Sequence, residues 1–552
     1  MLTLPTRLRL STNQLALLLS IWLLTFYNGP LWQLVLSRPF DSPLSAWLFS
    51  ASFFALIVAC FNLLLSLVAF PYLLKPAAIL LLFTAAPVSY FMDSYGVIID
   101  KSMIQNVLQT DSAEAGDLFS LKLLLYLFVL ALLPTLLVLK LPLKQRSLWH
   151  EVRGSLISAV ASVAVIAAVA ALFYADYASF FRNNPQIRLL LTPSNTFYSG
   201  YKQVASLLKT PTVIRPIGTD ANRLVTTAGR SKPSVLVLVV GETARAQNFS
   251  LNGYSRPTNP QLEQAGVINF RNAYACGTST AISVPCMFSR LEREDYSGAR
   301  AAAEENLLDV LRHAGIEVLW RDNSSGCKGL CERVTTERRN AFRSDALCPD
   351  GECFDEAMLT GLEDYLDKLT GDAVIVLHQM GSHGPAYYKR YPEAFRVFEP
   401  TCDSNQLQSC SAEAIRNTYD NTLLYTDHFL HRVITFLQAR SERYDTAMLY
   451  LSDHGESLGE NNLYLHGMPY FMAPEEQKRV PFLLWLSDNF TTRYQVDSGC
   501  LGDNSEAPIS HDNLFHSVLG LLDVRTRLYQ PELDIFAPCR VTAQRAVAAL
   551  KM

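Results

Sequence analysis

An excess of charge of either sign is what this chain most conspicuously lacks. Lys and Arg number 47 against 51 Asp and Glu, a net charge of −4 over 552 residues. No basic domain or stripe interrupts that balance, which leaves no footprint for a nucleic-acid partner. Cysteine is nearly missing before residue 270, where Cys60 stands alone in an apolar stretch. C-x-x-C repeats are missing throughout, which argues against zinc ribbons and fingers. The first apolar stretch has no small-residue cleavage site and is followed at once by others, so it reads as a span and not as a removable leader.

What the chain does hold is unevenly spread. Hydrophobic residues make up 49% and crowd the first third, where five stretches near residues 14–35, 46–70, 73–92, 121–140 and 156–174 each reach the ~20 residues that cross a bilayer. Arg7, Arg9, Lys75, Lys140, Lys144, Arg146 and Arg153 flank these stretches and belong in the cytoplasm. The mainly acidic connection 93–117 then lies outside, as does everything after the fifth span. That outer part holds the other ten cysteines, Cys276, Cys286, Cys327, Cys331, Cys348, Cys353, Cys402, Cys410, Cys500 and Cys539. An even number in close pairs indicates disulfides in an oxidising compartment, although spacing alone leaves many connectivities open. Domain boundaries follow: a five-helix transmembrane domain over 1–175, a polar linker with short interfacial helices over 176–232, carrying Pro185, Pro193, Pro211 and Pro216, and an extramembrane domain over 233–552.

In that last domain, apolar runs at 234–240, 316–320, 373–378, 447–451 and 481–486 read as buried strands, with helical periodicity between them at 304–313 and 412–440. Alternation of this kind predicts a mostly parallel sheet covered by helices on both faces. Chemistry-bearing residues collect where strands end: Glu242 after the first, His378 and His383 after the third, Asp453 and His454 after the next, with His466 close behind. Singly, each is explained as a cap or surface turn. Together they mark one sheet edge, where open α/β sheets bind ligands. Carboxylate and imidazole are good zinc donors. Thr278, Ser279 and Thr280 precede a helix; such hydroxyls are commonly N-caps, but the same helix terminus also attracts phosphate.

The motifs Val240-Gly241-Glu242-Thr243, Cys276-Gly277-Thr278-Ser279-Thr280, Gly381-Ser382-His383-Gly384-Pro385 and Ser452-Asp453-His454-Gly455-Glu456-Ser457-Leu458-Gly459-Glu460 together resemble the bacterial phosphoethanolamine–lipid A transferases over nearly the full length. That resemblance implies an inner-membrane enzyme with a periplasmic catalytic domain of the alkaline phosphatase and sulfatase fold, related to the mobile determinants of polymyxin resistance. It implies Thr280 as nucleophile and, with Glu242, Asp453 and His454, as ligand of one tightly bound zinc. His383 and His466 would bind substrate or a second, weaker zinc and act as general acid, and Lys328 would meet substrate phosphate. Asn462 stands where some relatives have glycine, in a loop, and disturbs none of these roles. Phosphatidylethanolamine would be donor and lipid A or lipopolysaccharide acceptor, with the chain a monomer among membrane lipids. Competing readings are a transferase acting on core or Kdo sugars, a membrane-anchored sulfatase or phosphodiesterase, and a catalytically silent envelope sensor. The ten cysteines are expected to pair with nearest neighbours. Asn106, Thr110 and Glu114 recur every four residues, so one helix over 102–115 would align them; a solvated face is the plain reading, and contact with the donor headgroup is the one the resemblance implies.

Overall fold

The computed structural model describes residues 9–40, 42–110, 112–144, 146–209, 213–223 and 232–540. Arg7, Pro211 and part of the expected linker, 224–231, lie outside the described residues. The chain divides into two compact units, Met1–Lys101 with Phe119–Lys202, and Ser102–Leu118 with Gln203–Met552.

The first unit is helical, as the apolar stretches demand: with no water to satisfy them, backbone groups at membrane depth must bond within the segment. Pro43–Ser66, Leu74–Tyr95, Leu121–Lys140 and Leu148–Leu172 are each long and apolar enough to cross a membrane. The stretch expected as a span over 14–35 is a pair of helices, Thr12–Phe26 and Gly29–Leu36, bent by 70°, which together are long and apolar enough to make a fifth, broken span. The bend sits at buried Asn28, and Pro30 follows it. Asn28 Nδ2 donates to the carbonyls of Leu23 (2.9 Å) and Thr192 (3.0 Å), and its Oδ1 accepts from Thr192 N–H (2.8 Å). One amide side chain thus ties the break to the backbone of Thr192, far along the chain. After the last span come Tyr174–Asn183, Ile187–Leu190 and Ser194–Lys209, the short helices expected of the polar stretch.

The second unit is built on an eight-stranded sheet. In chain order its strands are β1 (Ser234–Gly241), β2 (Ile268–Tyr274), β3 (Glu317–Asp322), β4 (Thr335–Arg338), β5 (Ala373–His378), β6 (Asp445–Ser452), β7 (Arg479–Leu486) and β8 (Ile509–Ser510). They lie in the order β8-β2-β7-β6-β1-β5-β3-β4. Only β7 runs against its neighbours. Every residue of β1, β5 and β6 is buried. Burial on both faces explains why β1 and β5 are continuous Val, Leu and Ile runs and why β6, through Ala447, Met448, Leu449, Tyr450 and Leu451, is apolar without alternation. Helices α1 (Lys101–Gln109) and α2 (Ser112–Asp117) precede the sheet in sequence; α3 (Thr280–Met287), α4 (Ala412–Gln438) and α5 (Asp512–Leu521) pack around it. Five disulfides join the nearest-neighbour pairs Cys276–Cys286, Cys327–Cys331, Cys348–Cys353, Cys402–Cys410 and Cys500–Cys539, and Cys60 is free.

Register decides what the carboxyl edge presents. Gly241 of β1 pairs with Ser452 of β6, Val240 with His378 of β5, and His378 with Asp322 of β3. Four adjacent parallel strands therefore end level, and the residues at or just past their ends share one rim.

Candidate active site

Glu242 is the first residue past β1, Asp453 and His454 the first two past β6, and Thr280 the first of α3. Glu242, Asp453 and His454 offer ligand atoms that all lie within 4.8 Å of one another, and all three are buried. Thr280 Oγ1 stands 3.1 and 3.2 Å from the two carboxylate oxygens of Glu242 and 3.3 Å from His454 Nε2. The other ring nitrogen of His454 is taken by the Gly455 carbonyl at 2.9 Å, which turns Nε2 inward. Thr243 holds a left-handed backbone, φ +59°, uncommon for a β-branched residue. Its N–H reaches Asp453 Oδ1 at 3.1 Å, and the N–H of His454 adds a second bond at 2.7 Å. Asp453 Oδ1 is thereby committed. Asp453 Oδ2, also buried, has no hydrogen-bond partner.

Two buried carboxylates this close need positive charge beside them. Burial works against ionisation of Glu242, but the His454 ring overcomes it and holds the carboxyl well below the usual range. Asp453 goes the other way: burial and the Glu242 charge push it up to about 6. His454 is raised to about 10, since Asp453 and Glu242 outweigh the cost of burying its charge. A hydroxyl, an imidazole nitrogen and two carboxylates, one with an orphaned oxygen, form a donor set that suits a divalent metal ion.

On the far side of Glu242, the buried His378 Nε2 lies 4.0 Å from Oε2 and has no hydrogen-bond partner, while Nδ1 is held by Asp322 at 3.1 Å. His378 had a cap-like reading in the sequence, yet it completes this pocket. The His466 ring lies 4.3 Å from that of His454 and 5.7 Å from that of His383, centroid to centroid. His466 Nδ1 pairs with Glu456 Oε2 at 2.8 Å, and Glu456 also accepts from the Tyr387 hydroxyl. Burial pushes Glu456 up to about 8. Gly381 sits at φ +52° with no room for a side chain, because a Cβ would stand 2.6 Å from the Glu242 carbonyl. That close approach brings His383 toward the rim.

The sulfatase family matches residues 234–524, and the family described as phosphoethanolamine transferase EptA/EptB matches residues 57–207. The phosphoethanolamine transferase EptA of Escherichia coli K12 is 44% identical over 483 residues, covering 87% of this chain and 88% of that one. This chain belongs to the phosphoethanolamine transferase family. A second relative, the phosphatidylethanolamine transferase Mcr-1 of Escherichia coli, is 42% identical over 82% of this chain and 84% of its own length. Among solved structures, the integral membrane lipooligosaccharide phosphoethanolamine transferase A of Neisseria meningitidis superposes with a TM-score of 0.93 at 38% identity, covering 97% of this chain and all of that one. Membership of this transferase family agrees with what the rim offers: a nucleophile-type hydroxyl at a helix start beside a metal-type cluster.

Lys328, at φ +51°, gives its ammonium to Ser325 Oγ (2.8 Å) and to the Ser325 carbonyl (3.0 Å). It lines a cavity of about 790 Å³ with Gln109, Glu332, Glu337 and Arg338. Asn106 and Thr110 do not share one helix with Glu114: α1 ends at Gln109, and α2 begins at Ser112. Thr110 Oγ1 turns back to the Asn106 carbonyl at 2.9 Å, a bond that competes with helix continuation. The Glu114 side chain lies outside what is described. From the same segment Gln105 Nε2 donates to the Ala281 carbonyl, next to Thr280, at 3.2 Å, and Met103 Cε fills the space a Cβ on Gly467 would need. No local pattern in the sequence announces either contact.

Proposed function

We propose that this chain transfers phosphoethanolamine from phosphatidylethanolamine to a phosphate of lipid A through a covalent intermediate on Thr280, and so confers resistance to polymyxin and other cationic peptides. The observation that carries the reading is the Thr280 hydroxyl, 3.1 Å from Glu242 and 3.3 Å from His454 Nε2 at the start of a helix. Thr280 Oγ1 attacks the phosphorus, the bond to the diacylglycerol oxygen breaks, and His383 or His466 returns a proton to that leaving oxygen. An acceptor phosphate oxygen then attacks the same phosphorus and Thr280 regains its proton. Lys328 and the helix start at Thr280 offset charge on the phosphoryl oxygens. Glu242, Asp453, His454 and Thr280 would hold one zinc ion, with His383 and His466 available to a weaker second. When bound there, the ion supplies Lewis acidity, lowering a neighbouring hydroxyl's pKa and neutralising phosphoryl charge. Glu456 fixes the His466 ring so that Nε2 faces the reaction.

The setting that fits is a monomer in the bacterial inner membrane with its catalytic domain in the periplasm, where five disulfides form readily. Anchoring suits a reaction between two lipids, since encounter becomes a two-dimensional search. A relative named Kdo(2)-lipid A phosphoethanolamine 7''-transferase, 30% identical over 52% of this chain, keeps a sugar acceptor as the competing assignment. Mass spectrometry of lipid A from cells expressing the protein tests the acceptor: addition on a phosphate is expected, and addition on Kdo overturns it. Intact-protein mass spectrometry with donor lipid tests the nucleophile. Thr280→Ala should trap nothing; phosphoethanolamine found on another residue would remove Thr280 from the mechanism.

A further inference from the structure

Asp117 closes α2 with its side chain buried, although it belongs to a short, polar segment. Its Oδ2 meets Arg390 Nη2 at 2.6 Å, its Oδ1 meets Lys389 Nζ at 2.5 Å, and its carbonyl accepts from Asn405 Nδ2 at 2.8 Å. The Arg390 side chain is 1% exposed. Its Nη1 pairs with Glu352 at 2.8 Å, and its Nε donates to the His383 carbonyl, also at 2.8 Å. One planar guanidinium therefore holds three groups at once: the end of α2, Glu352, and the backbone of a histidine on the catalytic rim. Asp117 and Glu352 balance Arg390 and Lys389, so the cluster is neutral and every charged group in it is paired.

Burying such a cluster adds little stability compared with an apolar contact of the same volume. What it adds is direction, because the guanidinium fork fixes the angles at which its partners sit. We infer that Asp117 is a positioning residue, acting through Arg390 to hold segment 102–118 and His383 in one register, so that the part of the chain carrying Glu114 and the proton donor at the leaving group move together. The inference rests on the proposed roles of those two residues. A merely structural Asp117 would lower turnover only as far as folded, metal-loaded protein is lost; a positioning one lowers turnover per folded, metal-loaded molecule.

The test uses the full chain in nanodiscs with wild type, Asp117→Asn, Asp117→Glu and Arg390→Lys. Asp117→Asn and Arg390→Lys are expected to keep wild-type zinc content but to melt a few degrees lower, because each leaves a buried group of the cluster short of a partner, so turnover is read well below both transitions. They should lower kcat for transfer from phosphatidylethanolamine on the order of 10²-fold, as a misplacement of about 1 Å does, with little change in KM. Asp117→Glu, which restores the carboxylate, should recover part of kcat. Hydrogen exchange in the absence of substrate should rise together in peptides covering 102–118 and 381–390 of the Asp117→Asn protein. Unchanged kcat well below the transition, a loss accounted for by missing zinc or by unfolded protein, or exchange that rises in 102–118 alone would each overturn the inference. A wild-type protein unable to use phosphatidylethanolamine would overturn the proposed donor instead, and the exchange result would still decide the role of Asp117.

Discussion

Replacing both cysteines of a bridge by serine should cost stability in the order of the loops closed, not in the order of nearness to the active site. The bridges Cys500–Cys539, Cys276–Cys286 and Cys327–Cys331 span 39, 10 and 4 residues. Loop-closure entropy then gives about 4, about 2.7 and about 2 kcal/mol at 25 °C. At about 2.1 cal/mol/K per residue, a cooperative unit of roughly 350 residues would lose about 5, 4 and 3 °C in melting temperature. Activity should rank differently. Cys276–Cys286 brackets Thr280, and its loop keeps two other ties, Gly277 N–H to Ser283 Oγ and Cys276 N–H to His511 Nδ1, each 3.1 Å. The variant lacking that bridge should therefore stay folded yet lose the most turnover per degree of melting temperature. The assay pairs thermal unfolding in detergent with transfer measured well below the transition. Equal melting losses in all three variants, or the largest loss for the four-residue bridge, would refute the entropic argument.

Glu242→Ala, Asp453→Ala and His454→Ala should each leave the protein in the membrane but remove bound metal by elemental analysis, since each deletes a ligand atom of the cluster; full metal content in any one excludes that residue. His511, 1% exposed, is held down to about 3 by burial, so the unfolded chain takes up its proton first as pH falls from 6.5. At pH 5 that costs about 2 kcal/mol of stability relative to neutral pH, and denaturation of His511→Gln should lack this contribution. Glu114→Gln should weaken use of phosphatidylethanolamine while leaving zinc content and hydrolysis of a small soluble phosphodiester unchanged; equal loss of both activities, or of neither, returns Glu114 to a solvated-face role.

Part of the rim was legible because Glu242, Asp453 and His454 sit within two positions of strand ends that announce themselves as unbroken apolar runs. The strand boundary and the donor chemistry put those three on one edge; their grouping as one ligand set, with Thr280, came from the family resemblance. Three strands were not legible: β8 has two residues, β4 is mostly exposed, and β2 is half-buried with Asn269, Arg271 and Asn272 along it, so none carries the hydrophobic signal of a core strand. The bend at Asn28 was hidden because a buried asparagine interrupts an apolar run without breaking its composition. Asp117 and Arg390 are 273 residues apart, and a charged residue in a polar segment looks alike whether solvated or buried in a salt bridge. Glu456 lay inside a conspicuous motif, but its role depends on Tyr387 and His466 arriving from other segments. Spacing along one chain reports what a strand or helix places side by side; it is silent on which distant segments fold onto that edge.

The charge state of the rim leads to a last expectation. Glu242 and Asp453 are fully buried and His454 lies between them, so in the metal-free protein His454 must stay protonated, up to about 10, to compensate the carboxylates. An imidazole can ligate a metal only through a nitrogen that carries no proton. Metal binding at pH 7 must therefore expel about one proton from His454. Below pH 6, where Asp453 at about 6 also begins to hold a proton, the number expelled should rise toward two and the affinity should fall more steeply. Calorimetric titration of the apoprotein with zinc, repeated in buffers of different ionisation enthalpy, counts those protons directly. The same titration on His454→Ala should lose the release seen at pH 7 along with most of the affinity. A heat that does not depend on buffer in the wild type would mean that His454 is already neutral in the apoprotein, and that the two carboxylates are balanced by something other than the ring set between them.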